Sequence, residues 1–477
     1  MTTDGVSGRG EGGGTEVARL DATVPAAVRE VCQTLTDAGH QAVTVGGAVR
    51  DALLGRPAED WDVATSAHPD QVVALFRRTI PTGLAHGTVT VMAGRGEARH
   101  AVEVTTYRGE GAYDDARRPS SVTFGVPLIE DLARRDLVVN AIAYDPIGRA
   151  VHDPFDGRGD LIARRLRAVG DPVARFTEDG LRVMRAIRFA ATLEFALDGE
   201  TEAAIPIALP SLARVSRERI KVELDKLLAA RRPGEALEIA RRTGVLDLVA
   251  PEAVAGLTPG AGGGPSGAPD EPAWRVRRGW IDGLAAGERE LRCAALLSGL
   301  STGAWATAGP EAGGDGKALA AGDPAAAKAA DAALRRLKAA NDERDRIVRL
   351  VRIAWAGRRA LTEPALRRLL AALGRARGED AARLWETRAA AAAAVGGDAD
   401  AGGETAARAR IILARGDALA AGELTVTGAD LMRELGLAPG REIGRLLELA
   451  LDAVLDDPAR NQPAALLELA RAATTAR

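Results

Sequence analysis

The alternation of apolar and polar residues near the start of the chain predicts a strand–turn–helix–loop–strand unit. An apolar run over 42–45 leads into Gly46 and Gly47, and residues with helical spacing follow. A loop then returns the chain to a second apolar run, which opens with Asp60 and Asp62. Because residues two apart in a strand share a face, these two carboxylates are expected to project together.

The same periodicity predicts a small sheet followed by a long helical region. Residues 24–38 have helical spacing, and apolar runs over 88–92 and 101–107 add strands to the unit. Farther along, the apolar positions recur mainly at helical spacing, as in 176–195 and 216–228. The sequence therefore indicates an α/β head with helical regions behind it.

The first unit carries groups suited to a metal ion and a phosphate. Two adjacent carboxylates repel each other unless a cation lies between them, and oxygen ligands suit Mg²⁺. The turn at Gly46 and Gly47 lets backbone N–H groups approach a phosphate, and Arg50, one helical turn on, can grip it. Alone, an Asp-x-Asp pair is usually two solvated acids and a Gly-Gly pair is usually a tight turn. Their proximity, with an arginine between them, favours the joint interpretation.

A charged ladder follows on the predicted helix 176–195. Its members recur every three residues and are Asp179, Arg182, Arg185 and Arg188. Cytosine and adenine present an amino donor beside a ring-nitrogen acceptor, which a carboxylate and a guanidinium complement, whereas uracil and guanine present the reverse pattern. An Asp–Arg pair can therefore select C and A without a nucleic-acid template. The alternative is a solvated amphipathic face, but residues 158–188 hold eight arginines and four acids, which favours phosphate or RNA as the partner.

These stretches resemble the motifs of the class II CCA-adding tRNA nucleotidyltransferases and bacterial poly(A) polymerases, which are polymerase β-like enzymes. The resemblance rests on VGGAVRDALLGRPAEDWDVAT at 45–65, Arg-Arg-Asp-x-x-x-Asn-Ala at 134–141, Asp-Pro-x-x-Gly-x-x-Asp-Leu at 153–161, Glu-Asp-x-x-Arg at 178–182 and Ser-x-Glu-Arg-Ile at 216–220. It covers residues 40–250 and is weaker from 280 to 477. Gly180 departs from it, since the family often has proline there, and we expect that glycine to loosen the start of the helix.

The resemblance implies template-independent addition of C, C and A to the 3′ end of tRNA from CTP and ATP, with release of pyrophosphate. It implies Mg²⁺ as the cofactor, with Asp60, Asp62 and Glu103 as catalytic and metal-binding residues. Glu103 lies in a β-branched run, where the alternative is an outward-facing polar position. The implied nucleotide-binding residues are Gly47, Arg50, Arg135, Asp179, Arg182, Arg185 and Arg188. Asp136 and Asn140 are expected to brace the pocket.

Two alternatives to this function stay open at the level of sequence. One is a poly(A) polymerase, or a partial enzyme that adds only CC or only A. The other is a catalytically idle RNA-binding protein, which the presence of all three carboxylates disfavours.

The expected fold class is an α/β nucleotidyltransferase head of the polymerase β type followed by all-α neck, body and tail domains. The expected segments are a disordered tail (1–20), the head (21–155), the neck with the nucleotide-selecting helices (156–235), a helical body (236–385) with Gly/Pro-rich loops at about 252–272 and 301–323, an Ala-rich linker or helix (386–420) and a helical tail that could bind tRNA (421–477).

Composition narrows the partners and the compartment. The net charge is −3 over 477 residues and aromatic residues make up 3%, so RNA contacts must come from local basic patches and not from aromatic base-stacking platforms. Two widely separated cysteines, Cys32 and Cys293, exclude a disulfide framework and suit a reducing cytoplasm. No apolar run reaches membrane-spanning length, and the polar, Gly-rich start does not resemble a signal peptide. We expect a cytoplasmic protein with no membrane or DNA partner, and the oligomeric state stays open.

One further site known in many bacterial relatives is not expected. The position that would carry a His-Asp phosphohydrolase motif reads RCAALLSG over 292–299, and no histidine occurs after His152. The sequence therefore predicts no second, metal-dependent phosphatase site.

Overall fold

The computed structural model describes the chain over residues 12–83, 87–94, 100–110, 122–254, 271–298, 322–358, 360–396 and 402–475. The chain divides into two compact units, one of residues 1–219 and one of residues 220–477. Within the described part of the chain, no helix combines the length and the apolar character needed to cross a bilayer.

The first unit is built on a mixed sheet. Its strands are β1 (Ala42–Val45), β2 (Asp62–Thr65), β3 (Thr79–Gly83), β4 (Thr88–Ala93), β5 (His100–Thr106), β6 (Arg108–Glu110), β7 (Val122–Phe124), β8 (Ala143–Asp145), β9 (Ala150–His152), β10 (Arg165–Leu166) and β11 (Ala196–Leu197). Seven of them form one sheet in the order β3-β4-β5-β2-β1-β8-β9. Within it β2 and β5 are parallel and all other neighbours are antiparallel. The four predicted strands are confirmed as β1, β2, β4 and β5, and they lie next to one another in the sheet.

The strand register brings carboxylates together at one end of the sheet. Val45, the last residue of β1, pairs with Asp62 at the start of β2. Val63 pairs with Val104 in the parallel neighbour β5, so Asp62 lies beside Glu103, each one residue earlier. The Gly46 turn that follows β1 is therefore at the same end of the sheet as both acids.

Helices cover this sheet and continue beyond it. They are α1 (Gly12–Thr23), α2 (Ala26–Asp37), α3 (Gly47–Leu53), α4 (Pro69–Leu75), α5 (Leu128–Ala133), α6 (Gly157–Ala163), α7 (Pro172–Glu178), α8 (Leu181–Leu193), α9 (Gly199–Ala213) and α10 (Arg217–Leu228). The helical spacing predicted over 24–38 and 216–228 is confirmed by α2 and α10. In α10 the predicted core positions Ile220, Leu224 and Leu227 are buried.

The expectation of a disordered tail through residue 20 is wrong for residues 12–20. These residues belong to α1, because Leu20 is fully buried and gives the helix an apolar contact with the rest of the unit. The Arg19 guanidinium donates to the backbone oxygen of Leu53 at 2.8 Å, and Glu16 forms an ion pair with Arg158 at 3.1 Å. Residues 1–11 lie outside the described part of the chain.

The continuous helix expected over 176–195 is also wrong, because the chain breaks between α7 and α8. Asp171 caps α7 by accepting a hydrogen bond from the Ala174 N–H at 2.7 Å, and Thr177, the expected N-cap, lies inside that helix. Asp179 has extended backbone angles (φ −133°, ψ 105°), and α8 begins at Leu181.

Gly180 explains how close another helix comes to this break. A Cβ placed on Gly180 would lie 2.3 Å from the carbonyl carbon of Ser211 and 2.4 Å from the nitrogen of Leu212, both near the end of α9. No side chain fits in that space unless the backbone moves. The glycine therefore permits a tight helix contact, and the expectation that it loosens the helix start is replaced by this packing role.

The second unit is helical over its described residues, as expected. Its helices are Gly234–Arg242, Val245–Val249, Pro251–Val254, Glu271–Gly283, Arg289–Leu297, Pro324–Arg336, Asn341–Ile353, Glu363–Leu373, Arg375–Ala394, Gly402–Arg415, Gly428–Leu435, Arg441–Asp456 and Pro463–Thr475. The Gly/Pro-rich loops predicted at 252–272 and 301–323 lie largely outside the described residues. The Ala-rich segment 386–420 is helical on both sides of residues 397–401.

Small side chains allow two helices of this unit to pack closely. Ala381 and Ala382 of one helix and Ala406 and Ala409 of the next are fully buried in a core around Trp385. Alanine is a strong helix former that adds little bulk between two backbones. The alanine content of this region therefore serves helix packing. The predicted boundaries between head, neck, body and tail stay predictions.

Candidate active site

A cavity of about 670 Å³ opens in the first unit beside the Gly46 turn. The sequence-predicted residues that line it are Gly47, Arg50, Asp60, Asp62, Arg135, Asp136, Asn140, Asp179, Arg182, Arg185 and Arg188. Residues that the sequence did not single out for a role there, among them Glu59, Arg134, Phe189 and Arg219, also line it. The fold thus brings together at one cavity three stretches of the chain, 46–62, 134–140 and 179–189, and Arg219.

Asp62 lies at the boundary between this cavity and a smaller one of about 190 Å³. Glu103 lines only the smaller cavity, together with Asp62 and Arg135. Loss of bulk water raises the pKa of Asp62 to about 6, with Glu103 adding to the rise, Arg135 opposing it and Asp60 adding a little more. Burial first, and then the charges of Glu103 and Asp60, thus make the negative charge of Asp62 costly.

These carboxylates fit a divalent cation by their chemistry. A hard cation prefers carboxylate oxygens, and it would offset both the burial and the repulsion from Glu103 and Asp60 that raise the pKa of Asp62. Among the described residues, however, no three His, Cys, Asp or Glu side chains are grouped closely enough to surround one ion. The structure therefore brings Asp60 and Asp62 onto one cavity wall and places Glu103 next to Asp62, but outside that cavity.

The glycine turn depends on a backbone conformation that favours glycine. Gly46 has φ +79°, and a Cβ there would lie 3.2 Å from the Arg135 Nη1. A Cβ on Gly47 would lie 3.5 Å from the Arg50 Nη2. The absence of side chains at this turn therefore leaves room for two guanidinium groups beside the backbone.

Arg50 is buried and held in place by two neighbours. Its Nη1 donates to the Asn140 Oδ1 at 2.6 Å, and its Nη2 forms an ion pair with Asp51 at 2.8 Å. The Asn140 Nδ2 in turn donates to the Asp136 Oδ1 at 3.1 Å. Because oxygen and nitrogen of the Asn140 amide each have a matching partner, the orientation of this amide is determined by its hydrogen bonds.

Asp136 also forms an ion pair with Arg185 of α8. The Arg185 Nε and Nη2 both lie close to the Asp136 Oδ2, at 2.7 and 2.6 Å. Burial alone would raise the pKa of Asp136, but Arg185, Asn140 and the Leu137 N–H together lower it to about 2. A chain of contacts therefore runs from α8 through Asp136 and Asn140 to Arg50, as expected of residues that brace the pocket.

Asp179 and Arg182 reach the cavity from the break between α7 and α8. One Asp179 oxygen accepts from the Leu181 N–H at 3.0 Å, and the other forms an ion pair with Arg219 at 3.1 Å. The Arg182 guanidinium contacts Glu178 at 2.5 Å and the backbone oxygens of Arg175 and Arg134 at 3.1 and 3.0 Å. Both side chains are therefore oriented by neighbours before any base arrives.

The far end of α8 is tied to the loop that carries the acid pair. The Arg56 Nη1 and Nη2 donate to the backbone oxygens of Thr192 and Leu193, each at 3.3 Å. The last carbonyls of a helix lack partners within the helix, and a cation is favourable there. Arg56 thus joins the last turn of α8 to the segment leading to Asp60.

Arg188 and Phe189 complete the wall on α8. The Arg188 guanidinium lies 3.7 Å from the centroid of the Phe189 ring. The guanidinium groups of Arg50 and Arg185 lie 5.0 and 5.5 Å from the same centroid. Sequence reasoning missed Arg219 and Arg56 because each acts through a partner far along the chain. It missed Phe189 because the contact of this ring with Arg50 depends on the tertiary fold.

Three family models match segments of the chain. The poly(A) polymerase head domain matches residues 42–167, the RNA- and SrmB-binding site of polymerase A matches residues 194–257, and the tRNA nucleotidyltransferase domain 2 matches residues 419–470. The three matched segments follow one another along the chain without overlap.

Curated proteins with similar sequences include CCA-adding enzymes. The CCA-adding enzyme of Levilactobacillus brevis is 47% identical over 217 residues, which is 46% of this chain and 53% of the relative. That of Geobacillus thermodenitrificans is 49% identical over 215 residues, 45% of this chain and 52% of the relative. In these matches the chain spans about half the length of the curated relatives.

The fold comparison extends over nearly the whole chain. The crystal structure of the Bacillus stearothermophilus CCA-adding enzyme in complex with CTP is 32% identical, with a TM-score of 0.67, and the match covers 94% of this chain and 98% of that one. Together with the head and neck motifs, this means that the chain belongs to the family of class II CCA-adding tRNA nucleotidyltransferases and bacterial poly(A) polymerases.

Proposed function

We propose that this protein adds C, C and A to the 3′ end of tRNA, using CTP and ATP and releasing pyrophosphate. The observation that carries the proposal is one cavity lined by an acid pair, a glycine turn, several arginines and an Asp–Arg pair. The names of the relatives in Levilactobacillus brevis and Geobacillus thermodenitrificans, and of the CTP complex from Bacillus stearothermophilus, support it.

The triphosphate of the incoming nucleotide would lie at the glycine end of the cavity. Gly47 leaves its backbone open to close approach, and Arg50 and Arg135 place guanidinium groups beside the turn. Because Arg50 is held by Asn140 and Asp51, it needs little rearrangement to bind a phosphate. Arg185 and Arg188, on α8, add positive charge to the lining of the same cavity.

The base would be read at the break between α7 and α8. The Asp179 carboxylate accepts from the exocyclic amino group of cytosine or adenine, and Arg182 donates to the adjacent ring nitrogen. Uracil and guanine would instead turn a carbonyl oxygen toward the Asp179 carboxylate and an N–H toward the Arg182 guanidinium, so acceptor would face acceptor and donor would face donor, at a cost of roughly 1–3 kcal/mol for each mismatched buried group. The contacts from Arg219 and Glu178 hold the two readers in place while the base is selected.

The reaction joins the RNA 3′-hydroxyl oxygen to the α-phosphorus and breaks the bond to the β-phosphate oxygen, so pyrophosphate leaves and the hydroxyl proton is released. Asp60 and Asp62, with Glu103 next to Asp62, would hold Mg²⁺, which when bound favours the ionised hydroxyl and neutralises charge on the phosphates. The protein itself positions the nucleotide and excludes the wrong bases.

A primer-extension assay tests the proposal. The substrate is a tRNA transcript that ends at the discriminator base, incubated with CTP, ATP and Mg²⁺. Extension by three nucleotides that then stops supports CCA addition. A ladder of A residues would instead identify a poly(A) polymerase, and a stop after CC or failure without a pre-existing CC end would identify a partial enzyme.

Matched variants separate catalysis from RNA binding. Asp60→Asn and Asp62→Asn should abolish extension while leaving tRNA affinity within about twofold, because neither change removes a basic group. Extension at the wild-type rate by both variants would refute the assignment of the acid pair and favour an RNA-binding role.

A further inference from the structure

Among the described residues that line the cavity, Phe189 supplies the one aromatic ring, and it is 6% exposed. Three guanidinium groups surround it, with their carbon atoms 3.7, 5.0 and 5.5 Å from the ring centroid for Arg188, Arg50 and Arg185. Arg50 comes from α3 in the head, whereas Arg188 and Arg185 come from α8. The ring is thus shared by two walls of the cavity.

Three cations around one ring require a favourable contact that offsets their mutual repulsion. The face of an aromatic ring carries negative potential and attracts guanidinium groups, which also stack on it through their planar faces. Arg50 and Arg185 have in addition an acidic partner each, Asp51 and Asp136. The ring therefore holds three guanidinium groups close together, while Asp51 and Asp136 each contact only one of them.

We propose that Phe189 is a positioning residue that holds these three arginines ready for the polyphosphate of the incoming nucleotide. The proposal rests on the proposed function. A nucleoside triphosphate brings up to four negative charges into the cavity, and guanidinium groups that are already gathered lose less side-chain freedom on binding it. Because every nucleotide carries the same polyphosphate, the ring supports binding of CTP and ATP alike and takes no part in choosing the base.

The test compares Phe189→Leu with a matched control on the same stretch of chain. Phe195 is also buried, with the Arg164 guanidinium 5.8 Å from its ring, but it does not line the cavity. Phe195→Leu thus removes a ring and a cation–π contact of the same kind away from the site. Phe189→Tyr keeps a ring face and serves as the conservative replacement.

For Phe189→Leu we expect the KM for CTP and for ATP to rise together by about 3- to 10-fold, the range of one or two lost cation–π contacts. The ratio of CTP to ATP use and the rate of UTP misincorporation should not change. Phe189→Tyr should return both KM values to within about twofold of wild type, and Phe195→Leu should leave them unchanged. A purely structural role for the ring would instead lower the active fraction, seen as lower kcat at unchanged KM.

A second probe, inorganic tripolyphosphate, measures the same property without catalysis. Isothermal calorimetry should show weaker tripolyphosphate binding for Phe189→Leu than for wild type or Phe195→Leu. Equal binding by all three proteins, or an equal KM rise for Phe195→Leu, would overturn the proposal. If the wild-type protein added no nucleotide to RNA, the proposed function would fail, but the tripolyphosphate comparison would still decide the role of Phe189.

Discussion

The Asn140 Oδ1 accepts a 2.6 Å hydrogen bond from the Arg50 Nη1, and this contact links Arg50 of α3 to a chain of contacts that reaches α8. The nitrogen of the same amide donates to Asp136, which pairs with Arg185 on α8. A neutral side chain with one donor end and one acceptor end thus separates a cation from an anion.

Asn140→Asp should break this arrangement although it changes only one atom. The new oxygen cannot donate to Asp136, and two carboxylates would face each other in a buried place, so we expect a loss of stability of about 1–3 kcal/mol at neutral pH. Urea unfolding at pH 7 measures it. Asn461→Asp is the control, because Asn461 lies on the surface of the tail, where its amide contacts Thr425 and Glu423. An equal loss in both variants would contradict the prediction.

The low pKa of Asp136 makes a contribution to stability that depends on pH. The pKa is about 2 in the folded protein, against about 3.9 for an aspartate in an unfolded chain. As the pH falls below 4 the unfolded chain takes up this proton first, so the stabilisation is present above pH 4 and is lost as the pH approaches 2. Its full size is roughly 2–3 kcal/mol.

Asp136→Asn should therefore make the free energy of unfolding depend less on pH in the acidic range. The variant should be less stable than wild type at pH 6, and the difference should shrink as the pH is lowered to 2.5, because Asp136 of the unfolded wild-type chain takes up a proton in this range while the folded carboxylate stays mostly ionised. Urea unfolding at several pH values gives both curves. Two curves that stay parallel across this range would show that the pKa of Asp136 is not depressed by folding.

Arg219 is expected to affect accuracy more than rate. Its Nη2 pairs with Asp179, and its Nη1 is buried without a hydrogen-bond partner among the described residues. Arg219→Ala would let the Asp179 carboxylate turn away from the base, and we expect UTP and GTP misincorporation relative to CTP and ATP to rise about tenfold. Single-turnover incorporation of each nucleotide measures this ratio. Arg214→Ala is the control, because Arg214 contacts Ser211 and does not line the cavity.

An unchanged misincorporation ratio in Arg219→Ala, with CTP and ATP incorporation slowed equally, would contradict this reading of the contact. It would mean that Arg219 supports the fold of the α7–α8 break but not the position of Asp179 relative to the base.

Gly180→Ala should be strongly destabilising for a change of one methyl group. The new Cβ would overlap the backbone at Ser211 and Leu212, at 2.3–2.4 Å, and overpacking against backbone typically costs about 1–3 kcal/mol or more. Gly199→Ala is the matched control, since a Cβ there has no heavy atom within 4 Å. Thermal unfolding of both variants tests this, and a Gly180→Ala protein as stable as Gly199→Ala would contradict it.

The sequence predicted the acid pair, the glycine turn and Arg50 because they lie within one short supersecondary unit. Strand periodicity and turn chemistry act over a few residues, so spacing alone places Asp60, Asp62, Gly47 and Arg50 near each other. The placement of Asp179 and Arg182 on the same cavity was expected from the family resemblance, and the fold brings them there.

The break at Asp179 could not be predicted, because its cause is tertiary. Residues 176–195 have helical spacing, and no proline interrupts them. The approach of the α9 backbone to Gly180 depends on how two helices meet in space. For the same reason the contacts of Phe189 with Arg50, and of Arg56 with Thr192, have no counterpart in local sequence patterns.

The two hydrogen bonds from Arg56 to the last turn of α8 restrict how the nucleotide preference of such a protein can evolve. They connect α8, which carries residues proposed to select the base, to the segment that leads to the acid pair. A mutation that rotated α8 to suit another nucleotide would, through Arg56, also displace Asp60. A change in nucleotide preference should therefore arise by substitution of side chains on α8 while the helix keeps its position. Tilting the helix would impair both base selection and the reaction at the acid pair.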